Sequence, residues 1–206
     1  TVHSELLRRP GKLYVLASHF HPDHFNKEVL QWREQRPDII YIFSKDILRH
    51  RRAQKEDAVW LKKGEEYKDE TLSVRAFGST DVGVSFLLQA SGKKIFHAGD
   101  LNNWHWMDES TEAEWKGAEK NFLHELDDLY AYTPEVDVAM FPVDPRLGKE
   151  YMRGAGQFVT KIKTHIFVPM HFTPEYAKAN AFRDFAEAHG VRFVSLTHRG
   201  QKIEIE

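Results

Sequence analysis

The chain has 206 residues, 41% of them hydrophobic and 29% charged, the profile of one folded domain rather than a disordered or fibrous chain. Its 29 Lys and Arg nearly balance 31 Asp and Glu, which argues against a nucleic-acid binder that relies on a broad basic field. Cysteine is absent, so disulfide scaffolds, thiolate zinc sites, iron–sulfur clusters and thiol nucleophiles are excluded together, and any metal must be held by the 12 His or by carboxylates. No apolar run reaches the ~18 residues of a membrane helix, and the first 15 residues hold no signal-peptide core. A cytoplasmic protein with no membrane partner is therefore expected.

Short apolar strands alternate with longer helical patterns, as in a layered α/β domain. Leu13–Ser18 reads as a buried strand running into His19. Asn26 is placed to cap a helix over Lys27–Gln35, which Pro37 stops. Ile39–Phe43 is a second buried strand, followed by a basic helix from about Asp46. The run Arg49-His50-Arg51-Arg52 belongs to that helix and, with Glu56 and Asp57 close behind, reads as a solvated face rather than an RNA patch. Strands are expected over Thr71–Phe77, Val82–Gln89 and Lys94–His97, the last two joined by a Ser91-Gly92 turn. Residues 110–130 read as a helix, and Asp137–Pro142 and His165–Pro169 as strands with another helix between them. Thr173 and Pro174 open a helix with an apolar face of Ala177, Ala181, Phe185 and Ala188, and Val191–Leu196 and Lys202–Ile205 close the chain as strands. Hairpins in the middle and helices toward both ends suit two sheets covered by outer helices.

The densest chemistry lies in Ser18-His19-Phe20-His21-Pro22-Asp23-His24. Three His and one Asp follow directly on a buried strand, and the alternation of a strand sends His19 and His21 the same way. Imidazole and carboxylate are the donors that Zn, Mn or Fe takes where thiolate is missing, so this segment is expected to hold a metal.

The pattern His-x-His-x-Asp-His, here His19, His21, Asp23 and His24, resembles the signature of the metallo-β-lactamase superfamily. Two later segments fit the same resemblance: Ile95-Phe96-His97-Ala98-Gly99-Asp100 and Ile166-Phe167-Val168-Pro169-Met170-His171, the second in a form associated with lactonase-like and general hydrolase branches. The resemblance implies an αββα sandwich of four layers with mixed sheets. It also implies a metal set of His19, His21, Asp23, His24, Asp100 and His171, with one or two divalent ions, zinc first and Mn or Fe as alternatives. Asp23 and Asp100 would be the catalytic carboxylates, the first orienting a metal-activated hydroxide and the second bridging the ions. Where the family commonly has Gly-His-Thr, this chain has Gly78-Ser79-Thr80-Asp81, so one imidazole is replaced by Ser79, with Asp81 as an alternative carboxylate. Either two unequal metals or one firm site follows. The fold also spends several strands before its first motif, whereas His19 arrives here after 18 residues, so roughly 40 further residues are expected ahead of Thr1 in a single domain.

Around this centre Ser79, Asp81, His105, Asp144 and Arg146 are candidate substrate contacts. Trp104 and Trp106 are candidate pocket walls or packing groups, and His97 a support or core residue. The function that follows is hydrolysis of a small anionic metabolite, an ester, lactone or phosphoester. The alternatives are a nuclease or phosphodiesterase of the same superfamily, a mononuclear-iron oxidoreductase using His24, His171 and Asp100 or Asp23, and a degenerate member that keeps a metal without catalysis. Metal identity and chelator-sensitive turnover separate them.

Overall fold

A computed structural model describes residues 3–172 and 174–204. After α1 (His3–Arg8) the chain forms β1 (Tyr14–Ala17), a 3-10 helix (Lys27–Glu34), β2 (Ile40–Ser44), α2 (Lys45–Arg49) and β3 (Val59–Leu61). These three strands pair in parallel, in the order β1-β2-β3. Then come β4 (Glu66–Lys68), β5 (Ser73–Phe77), β6 (Ser85–Ala90), β7 (Lys93–His97), α3 (Glu112–Tyr132), β8 (Glu135–Pro142), α4 (Arg153–Lys161), β9 (Lys163–Met170), α5 (Tyr176–Asn180), α6 (Arg183–Ala188) and β10 (Arg192–Phe193). They build a second sheet in the order β10-β9-β8-β7-β6-β5-β4, antiparallel from β4 to β7 and parallel from β7 to β10. The large sheet is mixed as expected, while the small one is wholly parallel.

Strand alternation produces the layers. In β2, Tyr41 and Phe43 face outward into a core with Phe25, Ile47, Val29 and Trp32, while Ile42 faces inward. It meets Val74, Ala76 and Phe86 of the large sheet between the two sheets. Across the large sheet, Leu87, Phe96, Ala139, Phe141 and Phe167 point to the other side, onto Phe122, Leu126 and Leu129 of α3 and Phe158 of α4. Helical cover, sheet, sheet, helical cover is the four-layer αββα order. At the β8–β9 end the inner face of the large sheet (Val138, Ile166, Val168) is covered instead by Val194, Leu196 and Ile203 of the C-terminal segment.

Local chemistry sets the element ends. Thr111 and Glu114 form a reciprocal capping box at the start of α3. Ser91 and Gly92 both have positive φ, 50° and 76°, as a two-residue hairpin turn requires, and the ladder resumes at the Ala90–Lys93 pair.

Several sequence expectations are corrected. The segment capped by Asn26 is 3-10 rather than α. The strand expected from Val82 begins at Ser85, because Gly83 turns the chain with a φ of 75°. The helix expected after Pro174 is split into α5 and α6 around Ala181 and Phe182, and Thr173, its expected cap, lies outside the described residues. The strand Val191–Leu196 shrinks to β10. Residues 202–204 form no strand, and Ile205 lies outside the described residues. No helix among the described residues is long and apolar enough to cross a membrane.

Candidate metal centre

Strand ends deliver the site. The exit of β1 carries His19, His21, Asp23 and His24, the exit of β7 carries Asp100, that of β8 Asp144, and that of β9 His171. The β1 exit is folded by its own residues. His24 and Phe25 both donate backbone N–H groups to the His21 carbonyl, and the buried Phe25 ring anchors the returning chain. Asp46 at the start of α2 accepts from the Phe20 N–H at 3.0 Å, holding the backbone between His19 and His21. The Ser18 hydroxyl sits between two rings, 3.1 Å from His19 Nδ1 and 3.4 Å from His24 Nδ1, which leaves both Nε2 atoms free to face Asp100.

Asp100 is the neighbour that three rings share. Its Oδ2 lies 3.3 Å from His19 Nε2, and its Oδ1 lies 3.1 Å from His24 Nε2 and 3.4 Å from His171 Nε2. Two sets of donors converge here: His19, His21 and Asp100 in one, and Asp23, His24 and His171 in the other, the ligand atoms of each set lying within 4.8 Å of one another. His19 Nε2 and Asp100 Oδ1 are buried polar atoms with no hydrogen-bond partner. Orphaned buried donors and acceptors cost about 1–3 kcal/mol each, and a divalent cation satisfies both. The residues therefore fit such an ion, and their nitrogen and oxygen donors fit Zn, Mn or Fe.

The electrostatics agree. Burial pushes His19 down to about 4, against the pull of Asp100, so its ring stays in the neutral form that ligates. Burial raises Asp100, but the close His24 ring and the charges of His24, His19 and His171 outweigh it and hold the carboxylate below its ordinary range. His171 carries a backbone φ of 62°, rare outside glycine, and its Nδ1 lies 2.9 Å from Asp144 Oδ2. Asp144 is 1% exposed and is clasped by Arg146 through Nε and Nη2. Burial would raise Asp144, yet the hydrogen bonds of His171 and Arg146 hold it at about 2, and in turn Asp144 draws His171 upward against burial.

Glycine makes room for this convergence. A Cβ on Gly83 would stand 2.1 Å from the Ser18 carbonyl oxygen, and one on Gly99 2.9 Å from Ser18 Cβ. Both glycines have positive φ. The loop between β5 and β6 is thereby pressed against the His19 segment, where Val84 N–H bonds the Ser18 carbonyl at 3.0 Å.

A cavity of about 410 Å³ opens over the centre, lined by His21, Asp23, Thr80, Asp81, Asp100, Trp104, Trp106, Arg146 and His171. Trp104 is pinned by its indole N–H on the Asp100 carbonyl at 2.8 Å and stacks on Trp106, whose φ is 42°. Arg146 is exposed despite its grip on Asp144, and so keeps guanidinium surface toward the cavity.

Three expected substrate contacts lie elsewhere or have other work. His105 is buried, with Nε2 donating to the Glu150 carbonyl at 3.1 Å and Nδ1 accepting from Met107 N–H, so it fastens a loop and does not line the cavity. Ser79 is not in the cavity wall, and its hydroxyl accepts from Asp81 N–H. Asp144 faces His171 and Arg146. His97 accepts from Gly99 N–H at 3.1 Å and steadies the step into Asp100. Sequence reading missed Ser18, Asp46 and Gly83. Gly83 alone carried a signal, as a glycine inside an expected strand.

Comparison with known proteins places this architecture. Residues 5–172 match the model of a family described as the beta-lactamase superfamily domain. No curated protein sequence matches the chain. Among solved structures, the metallo-beta-lactamase fold protein YhfI from Bacillus subtilis superposes with a TM-score of 0.55 at 12% identity, over 89% of this chain and 75% of its own. A possible metal-dependent hydrolase from Veillonella parvula DSM 2008 gives a TM-score of 0.55 at 10% identity, over 89% and 73%. At such identities the likeness is one of fold.

Proposed function

The chain belongs to the beta-lactamase superfamily, and from that footing we propose that it is a metal-dependent hydrolase acting on a small anionic metabolite, an ester, lactone or phosphoester. The observation that carries this reading is Asp100, whose two carboxylate oxygens face two separate sets of His and Asp donors. His19, His21 and Asp100 would hold one ion, and Asp23, His24 and His171, with the other oxygen of Asp100, a second. Zinc is the first choice for such donors. A divalent ion held there supplies Lewis acidity and lowers the pKa of water toward about 7.

The protein groups supply the rest. Asp23 is exposed to the cavity, 3.5 Å from His24 Nε2, where its free oxygen can orient the attacking water and accept its proton. Arg146 faces the same cavity and binds the anionic end of the substrate, so that the scissile bond lies over Asp100. Trp104 and Trp106 also line the cavity, Trp104 edge-on to His171, and limit the water around the reacting bond. Asp144 keeps His171 turned with Nε2 inward.

The purified protein, stripped and reloaded with Zn(II) or Mn(II), is expected to hydrolyse at least one member of a panel of lactones, phosphodiesters and thioesters, and to lose that turnover to a chelator. Absence of chelator-sensitive turnover across the panel would remove the hydrolase reading.

A further inference from the structure

The two sets of donors are unequal. Asp23, His24 and His171 have Asp100 Oδ1 beside them, four donors in all, whereas His19 and His21 share only Asp100 Oδ2. Each half has one buried polar atom without a hydrogen-bond partner, His19 Nε2 in the poorer one and Asp100 Oδ1 in the other, so the donor count separates them. We propose that Asp81 is the fourth protein ligand of the His19–His21 half, so that this half is a two-imidazole, two-carboxylate site for a divalent cation.

Asp81 Oδ2 lies 4.0 Å from His21 Nδ1, a separation two ligands of one ion can have, and both residues line the cavity above Asp100. Its side chain is 47% exposed, and among the described residues its carboxylate has His21 as its ion-pair partner and accepts no hydrogen bond. Asp81 stands outside the His19–His21–Asp100 set and would join it by a rotation of its side chain, which no hydrogen bond to its carboxylate among the described residues holds back. The backbone that carries it is fixed on both flanks. Thr80 Oγ1 bonds the Asn102 carbonyl and accepts from Asn102 N–H at 3.0 Å, tying the loop to the segment after Asp100. Gly83 and Val84 tie it to Ser18 beside His19. Ser79, the other oxygen donor nearby, is occupied by Asp81 N–H and stands outside the cavity wall. Asp81 is therefore the group that can close the coordination shell, and with it each half offers two imidazoles and two carboxylates.

The inference rests on the metal-centre reading, and the test separates the two. Metal-free full-length protein is titrated with Zn(II) and with Mn(II) by calorimetry, with elemental analysis of the loaded product. The wild type should take up two ions, and Asp81→Ala one at wild-type affinity with the second weakened at least about 10-fold. Retention of that first ion shows that the variant is folded. Asp81→His should restore the second ion, with Zn(II) favoured over Mn(II) more strongly than in the wild type. Two ions bound by Asp81→Ala at wild-type affinity overturn the proposal, as does a wild type that binds only one, and in both cases the metal-centre reading stands. A wild type that binds none overturns both.

Discussion

Two carboxylates in this molecule gather neighbouring groups in opposite ways, Asp69 five of them and Asp100 three. Asp69 lies on the turn between β4 and β5. One of its oxygens accepts from the Thr71 and Leu72 N–H groups, both at 2.8 Å. The other accepts from the Tyr14 and Tyr67 hydroxyls and from Lys12 Nζ at 2.7, 2.9 and 3.0 Å. Every neighbour donates a hydrogen, and because Tyr14 belongs to the small sheet and Tyr67 to the large one, the cluster clasps the two sheets at one edge. Asp100 sits between the same two sheets at the opposite kind of station. Its neighbours are imidazole nitrogens at 3.1–3.4 Å, and one oxygen has no hydrogen-bond partner at all. A saturated carboxylate fastens structure. An unsaturated one, ringed by imidazoles, leaves an acceptor open to a cation.

The largest effect that tests this contrast is the loss of Asp100. Asp100→Ala removes the one group common to both sets of donors and should weaken every ion by more than about 100-fold, beyond what removal of a supporting residue costs. His19→Ala and His171→Ala should each lower metal occupancy by removing one half. Elemental analysis after desalting reads all three, and unchanged occupancy in both His variants would sink the assignment. Asp144→Asn should have a smaller effect, about 10–100-fold on the affinity of the His24–His171 half, since His171 keeps its position but loses the partner that fixes its ring. Competition with a chromophoric chelator measures it.

Asp69→Asn should behave in the converse manner, lowering Tm by a few degrees while metal uptake is unchanged. If metal affinity fell with it, the two carboxylates would not be separable. The smallest effect is its pH dependence. Burial raises Asp69, but the hydrogen bonds from Leu72, Tyr14, Thr71 and Lys12 prevail and hold it well below its ordinary 3.8. A depressed carboxylate stabilises the fold above its unfolded-state value and loses that contribution as pH falls through the folded one. The Tm gap between wild type and Asp69→Asn, measured by scanning calorimetry, should therefore be full at pH 7 and narrow below pH 3.8.

How legible this was depends on the range of the signal. The His19–His24 run, the strand entering Asp100 and the strand entering His171 are local patterns, each an apolar run that ends in a candidate ligand, and the three strands β1, β7 and β9 bring those ends together. The Ser91-Gly92 turn is equally local. Val59–Leu61 and Glu66–Lys68 are strands of three residues each, too short for alternation to show, and they exist because neighbours offer a ladder. The role of Asp144 depends on Asp144 and His171 meeting at the ends of adjacent parallel strands, a fact of register rather than spacing. His105 shows the reverse: its neighbourhood is rich in aromatics, yet both ring nitrogens are spent on backbone groups that no local pattern announces.

The placement of the candidate ligands has one more consequence. His19, His21, Asp23 and His24 leave the edge of the small sheet, and Asp100 and His171 leave the large one. An ion held among them would be a staple driven through the joint, tying the exit of β1 to the exits of β7 and β9 across a closure that the polypeptide alone must make at an entropic cost. Affinity for such an ion and adhesion between the sheets would become one quantity, with metal supply setting how firmly the two sheets are joined.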